Sequence, residues 1–493
     1  MQKDIKEWNE LKYKNICFFI IVFLISLLLC GNFVTMHFAT DTYMIMDLGL
    51  EEYLQSYSIG DGRIFMALLL FLANIAKIPI TILVPLFTVV AIIILSITVI
   101  ILYKIIKNLK EPHSVKMDLL LLLISYISIF NFMLIENLYY LECIVMAISI
   151  LFCILAGYKL VIKEQYIQTF ILAILGVFCY QGTVNVLVTF SYLLLIIKPK
   201  KTTKENIISI FSMIGIFFVA CLFNVIFIKV FGREESRITN ITEIISTLHE
   251  KIQLLCFYIV EIAVNTANQF PKYALLSFIL AYLVLMGKYF KKYEKLLIYV
   301  TFILISFIVP CFPGMVSTMR VDIGRLLFSV GAIVGFSLIY FYCTTDIFEK
   351  NTVSKMICIS LAILFFMINS TMYIVITNES VLVNEIERKV GERIKNKIDE
   401  YERSTGIKVE KIVFNTDKKI TYFYGLVKHQ TFATLNAFHS EWSKLGTVNY
   451  HTNRKLEKIE DEKYTEYFKK QNWSSFDENQ IILDGNVMYY CIY

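Results

Sequence analysis

The stretch DGRIFMALLLFLANIAK, Asp61 to Lys77, decides how the rest of the chain is read. Between Arg63 and Ala76 it is apolar but only about fourteen residues long, short of the ~20 helical residues that a ~30 Å hydrocarbon core demands. It is expected to be a re-entrant or juxtamembrane helix, not a span. The lysines that follow support this. Lys and Arg collect on the cytoplasmic side of short loops. YKIIKNLK (103–110) falls on the same side as Lys3, Lys6, Lys12 and Lys14 only if the Arg63–Ala76 segment does not cross.

The remaining basic clusters, YKLVIK (158–163), KPKKTTK (198–204), GKYFKKYEK (287–295) and EKNTVSK (349–355), join them on that side when about eleven spans are drawn. The clear candidates are Ile16–Val34, Ile80–Tyr103, Asp118–Ile135, Leu138–Gly157, Ile207–Phe231, Tyr273–Phe290, Leu296–Pro310, Leu326–Cys343 and Met356–Ile376. Two short helices come from Ile167–Ile197, which is broken by YQGT at Tyr180–Thr183. MQKDIKEWNELKYKN is expected to lead into an uncleaved first helix. The expected class is therefore an α-helical polytopic membrane protein, multi-pass in the cell membrane, with its N-terminus cytoplasmic and its C-terminal part extracytoplasmic.

Composition agrees: the chain is 57% hydrophobic, 18% charged and has mean hydropathy +0.63, which excludes an ordinary soluble protein. Its eleven Cys lie mostly in apolar runs without a CxxC pair and read as packing residues. The net charge of +6 is largely the inner lysines, and points to anionic lipid and not to nucleic acid. Residues 1–376 form the expected membrane domain. Residues 377–493 change character. NESVLVNEIERKVGERIKNKIDEYERSTG (378–406) has helical spacing, and KVEKIVF (408–414), KITYFYG (419–425) and NVMYYCIY (486–493) alternate as strands do. Trp442 and Trp473 are expected to anchor the core of this small soluble α+β domain. It reads as a docking or substrate-guiding module rather than a second active site.

Ionisable groups in so apolar a chain should face a cavity or a partner. Glu142 is expected about a turn inside a span, either lining a cavity or paired to a neighbouring helix. Glu136 precedes it, either solvated at the turn or part of the same cluster. Tyr180 and Gln181 occupy the turn between two short helices, whose recessed position could hold a sugar. Arg320, Asp322 and Arg325 share one outer loop, where two arginines can bind a phosphate bidentately or form a local ion pair. Arg233 and Arg237 read as surface residues. In the first outer loop Asp41 lies close to the membrane, placed to act as a general base. Asp61 is expected to cap the helix that follows, with Gly62 easing the turn, and Arg63 to pair with a carboxylate or a phosphate. His37, Asp47, Glu51 and Glu52 read as ordinary loop residues. No cofactor is expected. The acidic loop permits a divalent cation without supplying a recognisable ligand spacing.

These motifs in this order resemble the Gtr-type O-antigen glucosyltransferase family, within the GT-C superfamily of polytopic membrane glycosyltransferases, over residues of about 10–345. Asp41 matches the acidic motif after the first helix, Asp61-Gly62-Arg63 the Asp-Gly-Arg, and Tyr180-Gln181 the Tyr-Gln. Glu142 sits where a polar or acidic residue is common, and Arg320 and Arg325 match more loosely. The family usually shows two adjacent acids in the first loop, whereas Asp41 is flanked by Thr40 and Thr42. The resemblance implies a GT-C-like fold and transfer of a sugar, usually glucose, from a polyprenyl-phosphate carrier to a cell-surface glycan at the outer face. Asp41 would be catalytic, and Asp61, Arg63, Glu142, Tyr180, Gln181, Arg320 and Arg325 would bind substrate or phosphate. A surface-polysaccharide polymerase and a lipid-linked glycan flippase or transporter are the alternatives.

Overall fold

The computed structural model describes residues 2–35, 37–110, 114–232, 241–289, 293–315, 323–344, 352–418, 427–473 and 475–492. Among them, five helices are long and apolar enough to cross a bilayer: Ile80–Leu109, Cys143–Val161, Thr203–Phe231, Leu296–Pro313 and Thr352–Thr405. Tyr13–Leu29 and Gly31–Leu48, bent 85° from one another, make a sixth if they count as one span. Six further apolar helices are shorter, including Ile64–Ile75, Tyr166–Cys179, Gln181–Ile197 and Phe328–Thr344. At 1.5 Å per residue these reach only ~18–26 Å, less than a hydrocarbon core. The sequence runs that suggest eleven spans thus resolve into a smaller set of full-length helices and a set of half-depth ones.

The run Asp118–Ile135 shows why. Its helix, Val115–Ile129, stops at Phe130, and a separate turn of helix resumes at Leu134–Tyr139. Asn131 makes the break: its side-chain oxygen accepts from the Met133 N–H at 3.1 Å and its amide donates to Ser128 O at 3.1 Å. The exposed carbonyls of the break do not go unpaired. Asn369 donates to Phe130 O at 2.7 Å and the Tyr373 hydroxyl to Asn131 O at 2.8 Å, both from the long helix. Irregular backbone in an apolar setting needs such partners. Phe328–Thr344 packs directly on this region. A Cβ at Gly331 would lie 1.9 Å from Asn131 Oδ1, and one at Gly335 would lie 2.3 Å from Ser128 Oγ. Only glycine allows that approach.

The first loop is not a loop. Thr40–Leu48 and Leu50–Tyr53 are α-helical and Leu54–Ile59 is π-helical, with Gly49 (φ +87°) turning between the first two. His37 is buried, its ring nitrogens 2.8 Å from Phe33 O and 2.7 Å from Tyr139 O. The connection between the expected spans Ile207–Phe231 and Tyr273–Phe290 is also helical where described, over Ile241–Gln253 and Leu255–Asn265. Arg233 and Arg237 lie outside the described residues.

Thr352–Thr405 is one helix of 54 residues, so the division at 376/377 falls inside a continuous rod. No glycine or proline interrupts it before Gly391. Its charged half carries a mixed sheet of order β2-β1-β4-β3. β1 (Lys411–Thr416) runs parallel to β2 (Glu457–Lys458) and β4 (Val487–Ile492), and β3 (Ile481–Asp484) runs antiparallel to β4. Strand alternation divides the core. Ile412, Met488, Tyr490 and Ile492 pack on Val390, Ile394 and Ile398 of the helix, while Val413, Tyr489 and Cys491 pack on Phe468 and Trp473. Trp442 belongs to neither cluster and is 47% exposed, contrary to its expected core role. KITYFYG lies outside the described residues.

This domain is docked on the first helical segment. The Tyr43 hydroxyl donates to Glu387 Oε2 at 3.0 Å and lies 3.2 Å from His451 Nε2, and Glu387 Oε1 accepts from the Ala437 N–H at 2.6 Å. Asn384 pairs with both backbone groups of Phe38, at 2.8 and 2.9 Å. Asp47 accepts from the Asn449 amide at 2.7 Å, so it is a docking contact rather than a free loop acid.

Burial holds the His451 and His439 imidazoles neutral down to about 4, whereas an unfolded histidine takes up a proton near 6.5. The unfolded chain therefore binds more protons between these values. Stability from these groups is full above about 6.5 and is lost as pH falls towards 4. The melting temperature of the detergent-solubilised protein is expected to drop across that window, and the double variant His451→Gln, His439→Gln to drop less steeply. An equal slope in the double variant would refute the assignment.

Candidate functional site

Asp61-Gly62-Arg63 makes a sharp entry into the Ile64–Ile75 helix. Gly62 sits at φ +73°, and a Cβ there would lie 2.5 Å from Asn224 Nδ2. The turn is clamped from below. The Gln181 amide donates to Asp61 O at 2.6 Å and to Asn224 Oδ1 at 3.0 Å, and Asn224 donates to Gly62 O at 2.9 Å. Asp61 does not cap the helix, which begins only after Arg63 and has no side-chain cap. Its carboxylate pairs instead with Arg63 Nη2 at 3.1 Å.

Arg63 turns inward from that bend. Its Nη1 meets Glu142 Oε1 at 2.5 Å, and the same oxygen accepts from the Tyr53 hydroxyl at 2.7 Å. Glu142 stands at the start of the Cys143–Val161 helix, not a turn inside it, and is buried. The guanidinium also lies 5.4 Å from the centre of the Tyr180 ring. Burial works against the Arg63 charge, but the Glu142 and Asp61 carboxylates outweigh it and hold the group above the ordinary arginine range.

Arg325 is held differently. It lies in the short turn Gly324–Leu326 ahead of the Phe328–Thr344 helix. Its backbone N–H donates to Glu136 Oε2 at 2.9 Å, and the other oxygen of Glu136 accepts from the Phe432 N–H at 3.3 Å. Glu136 is therefore buried and in use, not solvated. Burial pushes its carboxyl up, while Arg325 and the two backbone N–H groups pull the other way without cancelling the rise. The Arg325 guanidinium lies 4.6 Å from the centre of the Tyr140 ring and 5.7 Å from that of Phe432. Its Nε is buried without a hydrogen-bond partner, and no carboxylate among the described residues comes within ion-pair distance.

These groups share one cavity of about 350 Å³, within the range of small-molecule sites. Its lining includes Asp41, Asp61, Arg63, Glu142, Tyr180 and Arg325, with Tyr53, Tyr57, Tyr140 and Met146 between them. The C-terminal domain adds Phe432 and Trp442. The Trp442 indole N–H donates to Asp41 Oδ1 at 2.9 Å. Gln181 does not line the cavity; it fastens the turn that does. Arg320 and Asp322 lie outside the described residues. Among the described residues no cluster of three or more His, Cys, Asp or Glu is arranged to hold a metal.

The cavity thus offers one guanidinium paired with carboxylates, one that lies over aromatic faces with no ion-paired carboxylate among the described residues, and the carboxylate of Asp41. The second guanidinium suits an anion that brings its own charge. Sequence reading missed Tyr53, Tyr140, Phe432 and Trp442, since aromatic residues are too frequent here to mark a site by themselves. Comparison with protein-family models, with curated proteins and with solved structures gives no match.

Removing one member of a buried ion pair costs about 3–5 kcal/mol, because the other charge is stranded. Glu142→Ala is therefore expected to lower the denaturation midpoint strongly. The double variant Arg63→Met, Glu142→Leu should be more stable than Glu142→Ala alone. Denaturant melts of the three proteins check this, and a double variant no more stable than Glu142→Ala would refute the pairing.

Proposed function

We propose that this chain is a membrane glycosyltransferase that moves a hexose, glucose by the resemblance, from a polyprenyl-phosphate carrier to a cell-surface glycan at the outer face of the membrane. In this reading the lysine-rich loops are cytoplasmic, about eleven segments enter or cross the bilayer, and the cavity opens outward under the C-terminal domain. The observation that carries the reading is that one cavity is lined by both Asp41 and Arg325, the latter with no ion-paired carboxylate among the described residues.

The chemistry follows from those two groups. Arg325 holds the lipid phosphate in a bidentate grip, with Arg63 kept in place by Glu142 and Asp61 as the fixed wall beside it. Asp41 takes the proton of an acceptor hydroxyl as that oxygen attacks the anomeric carbon. The bond from that carbon to the phosphate oxygen breaks, and its electron pair leaves with the phosphate, whose growing charge Arg325 stabilises. Displacement from the opposite face inverts the anomeric centre. The half-depth helices leave an apolar flank along which the polyprenyl tail can lie. No nucleotide sugar is needed, because the lipid phosphate is itself the leaving group.

Asp41→Asn is expected to cut transfer from polyprenyl-phosphate glucose in membrane vesicles by ~10²–10⁴-fold. Arg325→Ala should cut it by ~10²–10³-fold. Both variants should express at the parent level. Undiminished transfer by Asp41→Asn sinks Asp41 as the base. Surface polymer of full length lacking one sugar in a deletion strain supports a transferase, whereas single unpolymerised repeats would make the chain a polymerase.

A further inference from the structure

We propose that the indole of Trp442 is the platform on which the acceptor sugar rests, so that the C-terminal domain selects the acceptor, an uncharged glycan unit. This rests on the glycosyltransferase reading and deepens it. Trp442 bonds the candidate base from that domain, through its N–H to Asp41 Oδ1. It is also out of keeping with its surroundings. The domain buries Phe438, Phe468 and Tyr490 almost completely, yet leaves the largest aromatic ring 47% exposed on a cavity wall. An indole with its polar edge fixed presents its apolar face to whatever enters. A pyranose ring is complementary to that arrangement, with a C–H face for the indole and a rim of hydroxyls, one of which then lies beside Asp41.

The backbone that carries the ring is held in place. Trp442 immediately precedes the Lys444–Thr452 helix, which is locked to the Thr40–Leu48 helix carrying Asp41. A Cβ at Gly446 would lie 2.3 Å from Tyr43 O, so the two helices touch backbone to backbone. Asn449 bonds Asp47 one turn further on. Base and platform therefore move as one piece, which is what keeping a hydroxyl in line for attack requires.

Charge selects among acceptors. The cavity rim on this side carries Asp41, and Glu441 next to Trp442 is exposed. Lys444 is engaged by Glu441 at 2.7 Å. Phosphate-bearing acceptors are repelled from such a rim, while neutral sugars are not.

The test separates acceptor binding from transfer. The full-length protein in lipid nanodiscs is titrated, without donor, with oligosaccharides cut from the surface polysaccharide of a strain lacking this chain. The indole emission that differs between parent and Trp442→Phe should change saturably. In transfer assays Trp442→Ala should raise the acceptor KM about tenfold, the loss of one well-placed aromatic contact, with the donor KM within about twofold. Trp442→Phe, which keeps an aromatic face, should keep the acceptor KM. An unchanged acceptor KM in a folded Trp442→Ala protein overturns the platform and leaves the transferase standing. Saturable emission change without any transfer by the parent removes the reaction and keeps the sugar site. Tighter binding of phosphorylated than of neutral oligosaccharides overturns the assignment of an uncharged acceptor.

Discussion

The carboxylate of Glu136 is the contact on which the cavity depends. One oxygen accepts from the Arg325 backbone and the other from Phe432, so a short helix in the middle of the chain holds a turn almost 190 residues later and a second turn almost 300 residues later. Buried charge of this kind is costly unless every lone pair has a use. Here each oxygen fastens a separate segment, and the Arg325 guanidinium nearby adds charge compensation. It helps hold Phe432 against the arginine and that arginine against Tyr140. The two-handed grip also explains why the membrane part and the C-terminal domain meet at the site itself and not merely beside it.

Two arginines of the same chemical type end in different electrostatic states because their neighbours differ. Arg63 faces Glu142, Asp61 and a tyrosine hydroxyl. It is a spent charge that gives the wall its shape. Arg325 faces rings. Aromatic faces attract a cation without cancelling it, so its capacity to receive an anion survives burial. The turn beneath Arg63 is kept narrow by Gly62 and by two amides, Gln181 and Asn224. Residues that touch no substrate thus decide where the spent charge sits.

Much of this was legible because a greasy chain makes polar residues conspicuous. Asp41, Asp61, Arg63, Glu142, Tyr180 and Arg325 stand out against apolar surroundings, and the cost of burying such groups makes their convergence in one place unsurprising. The break at Tyr180 and the shortness of the Ile64–Ile75 helix were likewise visible in residue spacing. What could not be read depends on distant pairing. Glu136 looks like a turn acid until the turns at Arg325 and Phe432 arrive. Trp442 looks like core until Asp41, 401 residues earlier, takes its N–H. Asp61 looks like a cap because position alone does not reveal that Arg63 outbids the helix end for it. Helix lengths escaped the reading for a related reason: hydropathy measures apolar length, and Asn131 ends a helix inside an apolar run.

The 54-residue helix gives the molecule a ruler. An uninterrupted α-helix advances 1.5 Å and turns 100° per residue, so the apolar end, seated against Phe130 and Asn131 through Asn369 and Tyr373, dictates both the height and the heading of the charged end, seated against Tyr43 through Glu387. Glu387 comes eighteen residues after Asn369, five complete turns, which puts both contacts on one face of the rod. Change along this stretch is therefore quantised. A chain that gains or loses a single residue there points its whole C-terminal domain away from the cavity, and only insertions of whole turns preserve the heading, each at the expense of about 5 Å in height.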